Sequence, residues 1–223
     1  MWPGVERLQA ACLGMVLLDM ETIFPVEEHL FTRREAARAA RMGLRRRKGF
    51  TAARVALKRL ARQLNLVEKD TPDRMIETLD ADGVRPCLGE SGIYCSASHS
   101  SRMVVGVANR HPIGVDLEMF SEKVIGTRHL FMSPKERNLI LLSRLGPERA
   151  TTRAWTTKEA AAKVLGLHLF QAIREVELVS VGAEEGMMTY QEKTYPVRHA
   201  EANGHVITLI TGDDLCKVPR LVF

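Results

Sequence analysis

The sequence predicts a mixed α/β protein built in two halves that meet near Arg110. Three observations carry this. Apolar runs of strand length alternate with stretches of helical spacing. The turn-forming run Asn109-Arg110-His111-Pro112 falls near the middle of the chain. At 223 residues, 45% apolar and 26% charged, the chain has the length and composition for a buried core in each half. The expected division is residues 1–110 and residues 111–223. No repeat by sequence identity and no low-complexity linker is visible.

A strand is expected around Cys12 to Leu18, then a short helix. Arg33 to Leu64 reads as one or two helices, with Ala53, Leu57, Leu60 and Leu64 forming an apolar seam. Arg47, Arg54, Lys58 and Arg62 follow another stripe and are expected to face solvent or a ligand. Gly43 and Gly49 are expected to mark breaks ahead of that helix. After a loop from Asp80 to Gly92, strands are expected at Met103–Ala108 and Ile113–Glu118, spaced to pair as a hairpin. Ser133-Pro134-Lys135-Glu136 combines a serine cap, a first-turn proline and a glutamate three residues on, which predicts a helix start. Leu139 and Leu142 are its expected buried side. Thr151 to Leu165 reads as an alanine-rich helix closed by Gly166. Strands follow at Val176–Val181, Met187–Tyr190 and Val206–Ile210.

The N-terminus lacks the basic start and cleavage site of a signal peptide, and Ala10 to Leu18 is too short to span a bilayer. A cytoplasmic protein without membrane contact is the expectation. Cys12, Cys87, Cys95 and Cys216 form no CxxC pair and have no histidine pair at zinc-ligand spacing, which predicts reduced thiols. The net charge is +5, yet residues 33–62 hold twelve Lys or Arg and one acid, Glu35. That segment carries +11 and the remainder −6, so an anionic partner is expected: nucleic acid, phosphorylated cofactor or acidic protein.

Three groups of residues suggest chemistry. Side chains alternate along a strand, so Gly114, Asp116 and Glu118 share a face. Two carboxylates held side by side call for a cation, a shared proton or full solvation; a hard cation such as Mg²⁺ suits the oxygen donors. Trp155, Glu159 and Lys163 recur every four residues on one helical stripe, which also fits a surface ion pair. Ser96-Ala97-Ser98-His99-Ser100 offers hydroxyls and an imidazole that suit a phosphate, or a turn and cap. No Gly-x-Ser-x-Gly elbow accompanies these serines.

The order of these pieces resembles a known family. Gly114-Val115-Asp116-Leu117-Glu118, followed by Trp155-Thr156-Thr157-Lys158-Glu159-Ala160-Ala161-Ala162-Lys163, is similar to the paired signatures of the surfactin-type phosphopantetheinyl transferases. Ser98-His99-Ser100 looks like that family's upstream motif, and Arg85-Pro86 like its Gly-Lys-Pro element. The resemblance implies a pseudo-twofold pair of similar α/β subdomains with coenzyme A in the cleft between them. It implies metal ligands at Asp116, Glu118 and Glu159, and phosphate-contacting lysines at Lys158 and Lys163. Ser98 and His99 would hold the 3′-phosphate of coenzyme A and Arg85 the same nucleotide, with Arg47, Lys48 and Arg54 as further candidates. Glu159 and Lys163 would act in catalysis.

The implied reaction moves the 4′-phosphopantetheine arm of coenzyme A, the co-substrate, to a serine of an acyl or peptidyl carrier protein. It depends on Mg²⁺, or on Mn²⁺ in its place. The implied enzyme is a monomer that takes an acidic apo carrier, with a docking face in the Phe120 to Leu145 region. Val84 and Arg85 stand where Gly and Lys are usual, and Ala53 where glycine is common. The alternative is a metal-dependent nucleic-acid-binding protein or nuclease built on the basic segment. Against it, Phe120 stands where an Asp…Glu-x-Lys nuclease strand needs lysine, and the segment has a single aromatic, Phe50.

Overall fold

The computed structural model describes residues 4–23 and 29–212; Cys216 lies outside the described residues. In chain order the elements are α1 (Val5–Ala10), β1 (Gly14–Asp19), α2 (Arg33–Ala40), α3 (Leu44–Gln63), β2 (Tyr94–Ser100) and β3 (Met103–Asn109). Then follow β4 (Ile113–Met119), α4 (Lys123–Thr127), α5 (Pro134–Leu141), α6 (Pro147–Leu165), α7 (Leu169–Glu175), β5 (Glu177–Val181), β6 (Glu185–Tyr190), β7 (Lys193–Ala202) and β8 (His205–Thr211). The protein is mixed helix and sheet, and both sheets are antiparallel throughout.

Two compact units form, one of Cys12–Arg110 and the other of α1 with the chain from His111. The helix α1, which sequence order gives to the first half, instead packs against β7 of the second unit. The expected hairpin of Met103–Ala108 with Ile113–Glu118 does not form. β3 lies in a three-stranded sheet of order β1-β3-β2, and β4 in a five-stranded sheet of order β4-β8-β7-β6-β5. The turn at 109–112 carries the chain from one unit to the other.

In the first unit α3 crosses the sheet, and Ala53, Leu57 and Leu60 of the expected seam are buried beneath it. Gly43 is its N-cap, but Gly49 lies inside the helix, where a Cβ would overlap the imidazole of His99. The second stripe divides: Arg47 is exposed and Arg62 partly so, whereas Arg54 and Lys58 are buried. Lys58 is fully buried, and its ammonium donates to the carbonyls of Asp73 and Ile76 and pairs with Glu35 at 2.8 Å. Arg54 donates to Thr78 and stacks over Phe50; Arg62 donates to Thr71 O. Arg34 reaches the carbonyls of Leu79 and Asp80, and Arg38 that of Gly83. Five of the twelve basic residues thus satisfy carbonyls of residues 71–83. Beyond one short 3₁₀ turn, that stretch has little ladder bonding of its own.

In the second unit α6 lies along β4 and β8. The close approach requires glycine, because a Cβ on Gly114 would fall on the carbonyl oxygen of Ala160 and the backbone nitrogen of Val164. α6 ends at Gly166, in the left-handed region with φ 69°. α5 starts with the expected capping box of Ser133 and Glu136. Its buried side is Glu136 and Ile140, whereas Leu142 is exposed, because α5 stops at Leu141 and Leu142 is its C-cap.

Candidate functional site

The candidate residues fall into two groups, one in each unit. On β4 the buried Asp116 and partly exposed Glu118 project from the face they share with Gly114. Gly114 admits the backbone of α6 to that face, which brings the helix against both carboxylates. Along α6, alanine and threonine fill the inner positions. Of residues 150–164, Trp155, Glu159 and Lys163 are the three that are not buried. The stripe expected from four-residue spacing is therefore the open stripe of an otherwise enclosed helix. Trp155 closes one end of it, edge-on to Phe131 at 5.0 Å.

Lys163 donates to Asp116 Oδ1 and to the carbonyl of Val115, each at 2.8 Å. Burial raises the pKa of Glu159 above its ordinary value; the charges of Asp116 and Glu118 push it the same way, and Lys163 pulls it back. Asp116, Glu118 and Lys163 therefore all act electrostatically on Glu159. Among the described residues no three His, Cys, Asp or Glu side chains converge into a ready ligand cage. The donor set still suits a divalent cation. It offers hard oxygen ligands of like charge, held on facing elements.

Lys158 corrects the expectation of a phosphate contact. Its side chain is 1% exposed, and its ammonium meets Glu136 Oε1 at 2.7 Å and the carbonyls of Ile173 and Val176. Glu136 also accepts the N–H groups of Ser133 and Leu178. The pair therefore joins the start of α5, the middle of α6 and the entry to β5. The lysine points away from the open stripe because it lies one position, about 100° of helix, from Glu159.

In the other unit Ser98 and His99 lie within β2. His99 is exposed and rests against α3 at Gly49, directly after the exposed run Arg45–Lys48. Arg47 and Lys48 thus stand one helical turn or less from the imidazole's resting place. Arg85 is exposed in the loop closed by the Leu79–Pro86 bridge, and its N–H donates to Asp80 Oδ1. Arg54 is corrected in the same sense as Lys158. It is buried, desolvation lowers its pKa, and its guanidinium is engaged by Thr78, which takes it out of the candidate anion contacts.

The burial pushes Cys95 up to about 12 and raises Cys87, so neither thiol is poised as a nucleophile. Glu136 (paired with Lys158), Arg153 (paired with Glu201) and His199 (bonded to Thr208) join separate elements, and the sequence marks Glu136 alone among them, at the N3 position of a capping box. In the Phe120 to Leu145 region the structure exposes Leu130, Leu141 and Leu142, while Phe131 and Met132 are core. Phe120 lies beneath the guanidinium groups of Arg149 and Arg153. No helix of the described residues is long and apolar enough to cross a membrane.

Residues 112–210 match the family model described as the 4′-phosphopantetheinyl transferase superfamily. That span holds Asp116, Glu118, Lys158, Glu159 and Lys163. No curated protein matches the chain.

Proposed function

We propose that the protein, whose residues 112–210 match the model of the 4′-phosphopantetheinyl transferase superfamily, moves the 4′-phosphopantetheine arm of coenzyme A to a carrier-protein serine. The observation that supports it most is the open stripe of α6, where Glu159 and Lys163 face the carboxylates of β4.

Asp116, Glu118 and Glu159 would hold a divalent cation, Mg²⁺ or Mn²⁺. When bound, the cation neutralises pyrophosphate oxygens as charge moves in phosphoryl transfer. The remaining steps belong to the chain. The serine oxygen of the carrier forms a bond to the β-phosphorus, and the bond from that phosphorus to the bridging oxygen breaks. Adenosine 3′,5′-bisphosphate leaves with the electron pair. Glu159, on the open stripe of α6 beside Asp116 and Glu118, takes the serine proton. Lys163 supplies positive charge to the departing phosphate.

Ser98, His99 and Arg85, with Pro86 setting the loop, would hold the 3′-phosphate of coenzyme A, and Arg47 and Lys48 would add charge. The acceptor is an acidic apo carrier of acyl or peptidyl type, drawn by the exposed cations and by the leucines of the Leu130–Leu142 surface. The enzyme works as a monomer in the cytoplasm.

The test is the intact mass of an apo carrier after incubation with the protein, coenzyme A and Mg²⁺. A gain of about 340 Da that vanishes with EDTA is the expected result. No gain across fatty-acid, polyketide and peptide carriers would overturn the reading.

A further inference from the structure

Asp116 is buried on β4, and a carboxylate taken out of water needs a positive partner. Lys163 is that partner, spanning from α6 to Asp116 Oδ1 and Val115 O. Two features set it apart from Lys158, five residues earlier on the same helix. Lys158 is 1% exposed and enclosed by a glutamate and two carbonyls, whereas the side chain of Lys163 is 30% exposed at the end of the open stripe. Lys163 also acts on Glu159, together with Asp116 and Glu118.

We infer that Lys163 is an exchangeable counter-ion of Asp116. It competes with a divalent cation for Oδ1, and when displaced it is delivered to the anionic end of the substrate. This rests on the proposed function for the presence of a metal and a phosphate. The physical ground is that the same carboxylate oxygen serves both cations. An ammonium 2.8 Å from that oxygen would lie in contact with any cation bound there, and the two repel steeply at such range in a half-buried site. The flexible four-carbon stem and partial exposure give the ammonium somewhere to go. Neutralising the carboxylates and freeing a phosphate ligand then become one event. The arrangement couples metal binding to coenzyme A binding, and the coupling is reciprocal.

The test is Mn²⁺ binding by titration calorimetry without coenzyme A, comparing the wild-type protein with Lys163→Met and Lys163→Gln, whose melting temperatures are checked first. Removing the competing cation is expected to tighten Mn²⁺ binding about tenfold in both variants. In the same variants coenzyme A affinity measured with Mg²⁺ falls. As a second readout, the ¹³C signal of reductively methylated Lys163 is expected to move when Mg²⁺ is added to the wild type. Equal or weaker Mn²⁺ binding in both variants, with the wild type still binding, would overturn the exchange and leave the metal reading standing. A wild-type protein that binds no Mn²⁺ would overturn both.

Discussion

Lys58 and Lys158 occupy the same place in the two units. Each ammonium pairs with the glutamate of a capping box, Glu35 at 2.8 Å or Glu136 at 2.7 Å. Each also donates to the carbonyls of residues 15 and 18 positions further on, Asp73 and Ile76 or Ile173 and Val176. The capping boxes are Thr32 with Glu35 and Ser133 with Glu136. The residue after the lysine differs, Arg59 in the first unit and Glu159 in the second. The role common to both lysines is to fasten the long helix to the segment that follows, residues 73–76 or the end of α7.

Removing one partner leaves a buried charge uncompensated. Lys158→Met and Lys58→Met are each expected to lower stability by about 3–5 kcal/mol, measured by urea unfolding. The double variant Glu136→Met with Lys158→Met removes both charges and should recover part of that loss, the N–H groups of Ser133 and Leu178 being left without their acceptor. It should also bind coenzyme A as the parent does. A tenfold loss of coenzyme A affinity in the double variant would return Lys158 to the phosphate.

The repeat behind this was illegible in the sequence for a physical reason. Gly14 meets Leu60 and Leu64, and Gly114 meets Ala160 and Val164, one hundred residues apart throughout. The retained identities are those of packing and capping: glycine on the first strand, glutamate in the box, lysine on the long helix. The positions facing the open stripe diverge, with Val16, Leu18, Arg59 and Gln63 against Asp116, Glu118, Glu159 and Lys163. Too few residues survive to show a period by identity. The helix starts and the Asp116, Glu118, Glu159, Lys163 group were legible, because capping and periodicity are local. The burial of Lys58, Arg54 and Lys158 was not, because a loop distant in sequence supplies the carbonyls that receive them.

The two glycines give a contrast. A methyl at Gly114 meets backbone, which cannot turn aside, while one at Gly14 meets the tips of Leu60 and Leu64. Gly114→Ala is expected to cost about 3 kcal/mol or more and to push α6 off β4, separating Glu159 from Asp116; Gly14→Ala is expected to cost about 1 kcal/mol. Thermal melts and transfer assays check both: the first variant loses activity even where folded, and the second keeps it.

Glu159 titrates above its ordinary value, and the direction has identifiable sources. In protein freed of divalent cations, ¹³C NMR of the carboxyl should show Glu118→Gln moving the midpoint down, because a like charge is removed. Lys163→Met should move it up, because the opposing charge is lost. A midpoint unmoved in both variants would separate Glu159 from the β4 cluster. Glu159→Gln should lower kcat by about 10²–10⁴, the usual contribution of a general base, with the melting temperature retained.

His199 connects the core of the second unit to pH. It lies on β7, with Nδ1 2.9 Å from Thr208 Oγ1, which is in turn 2.6 Å from Thr156 Oγ1. Thr156 donates to the carbonyl of Arg153, so it accepts from Thr208. Thr208 therefore accepts from an Nδ1–H, and His199 is neutral in that tautomer. Burial lowers its pKa from 6.5 to about 3, and the charge of Arg153 pushes the same way. The unfolded chain then binds a proton between pH 6.5 and 3 that the folded chain refuses. Stability from this source is full above pH 6.5 and drains away as the pH falls toward 3, by an amount on the order of 4 kcal/mol. Unfolding free energy measured at pH 7 and at pH 4.5 should fall more in the wild-type protein than in His199→Gln, whose amide carries no proton to gain. Equal falls in the two proteins would show that the acid sensitivity resides in the carboxylates instead.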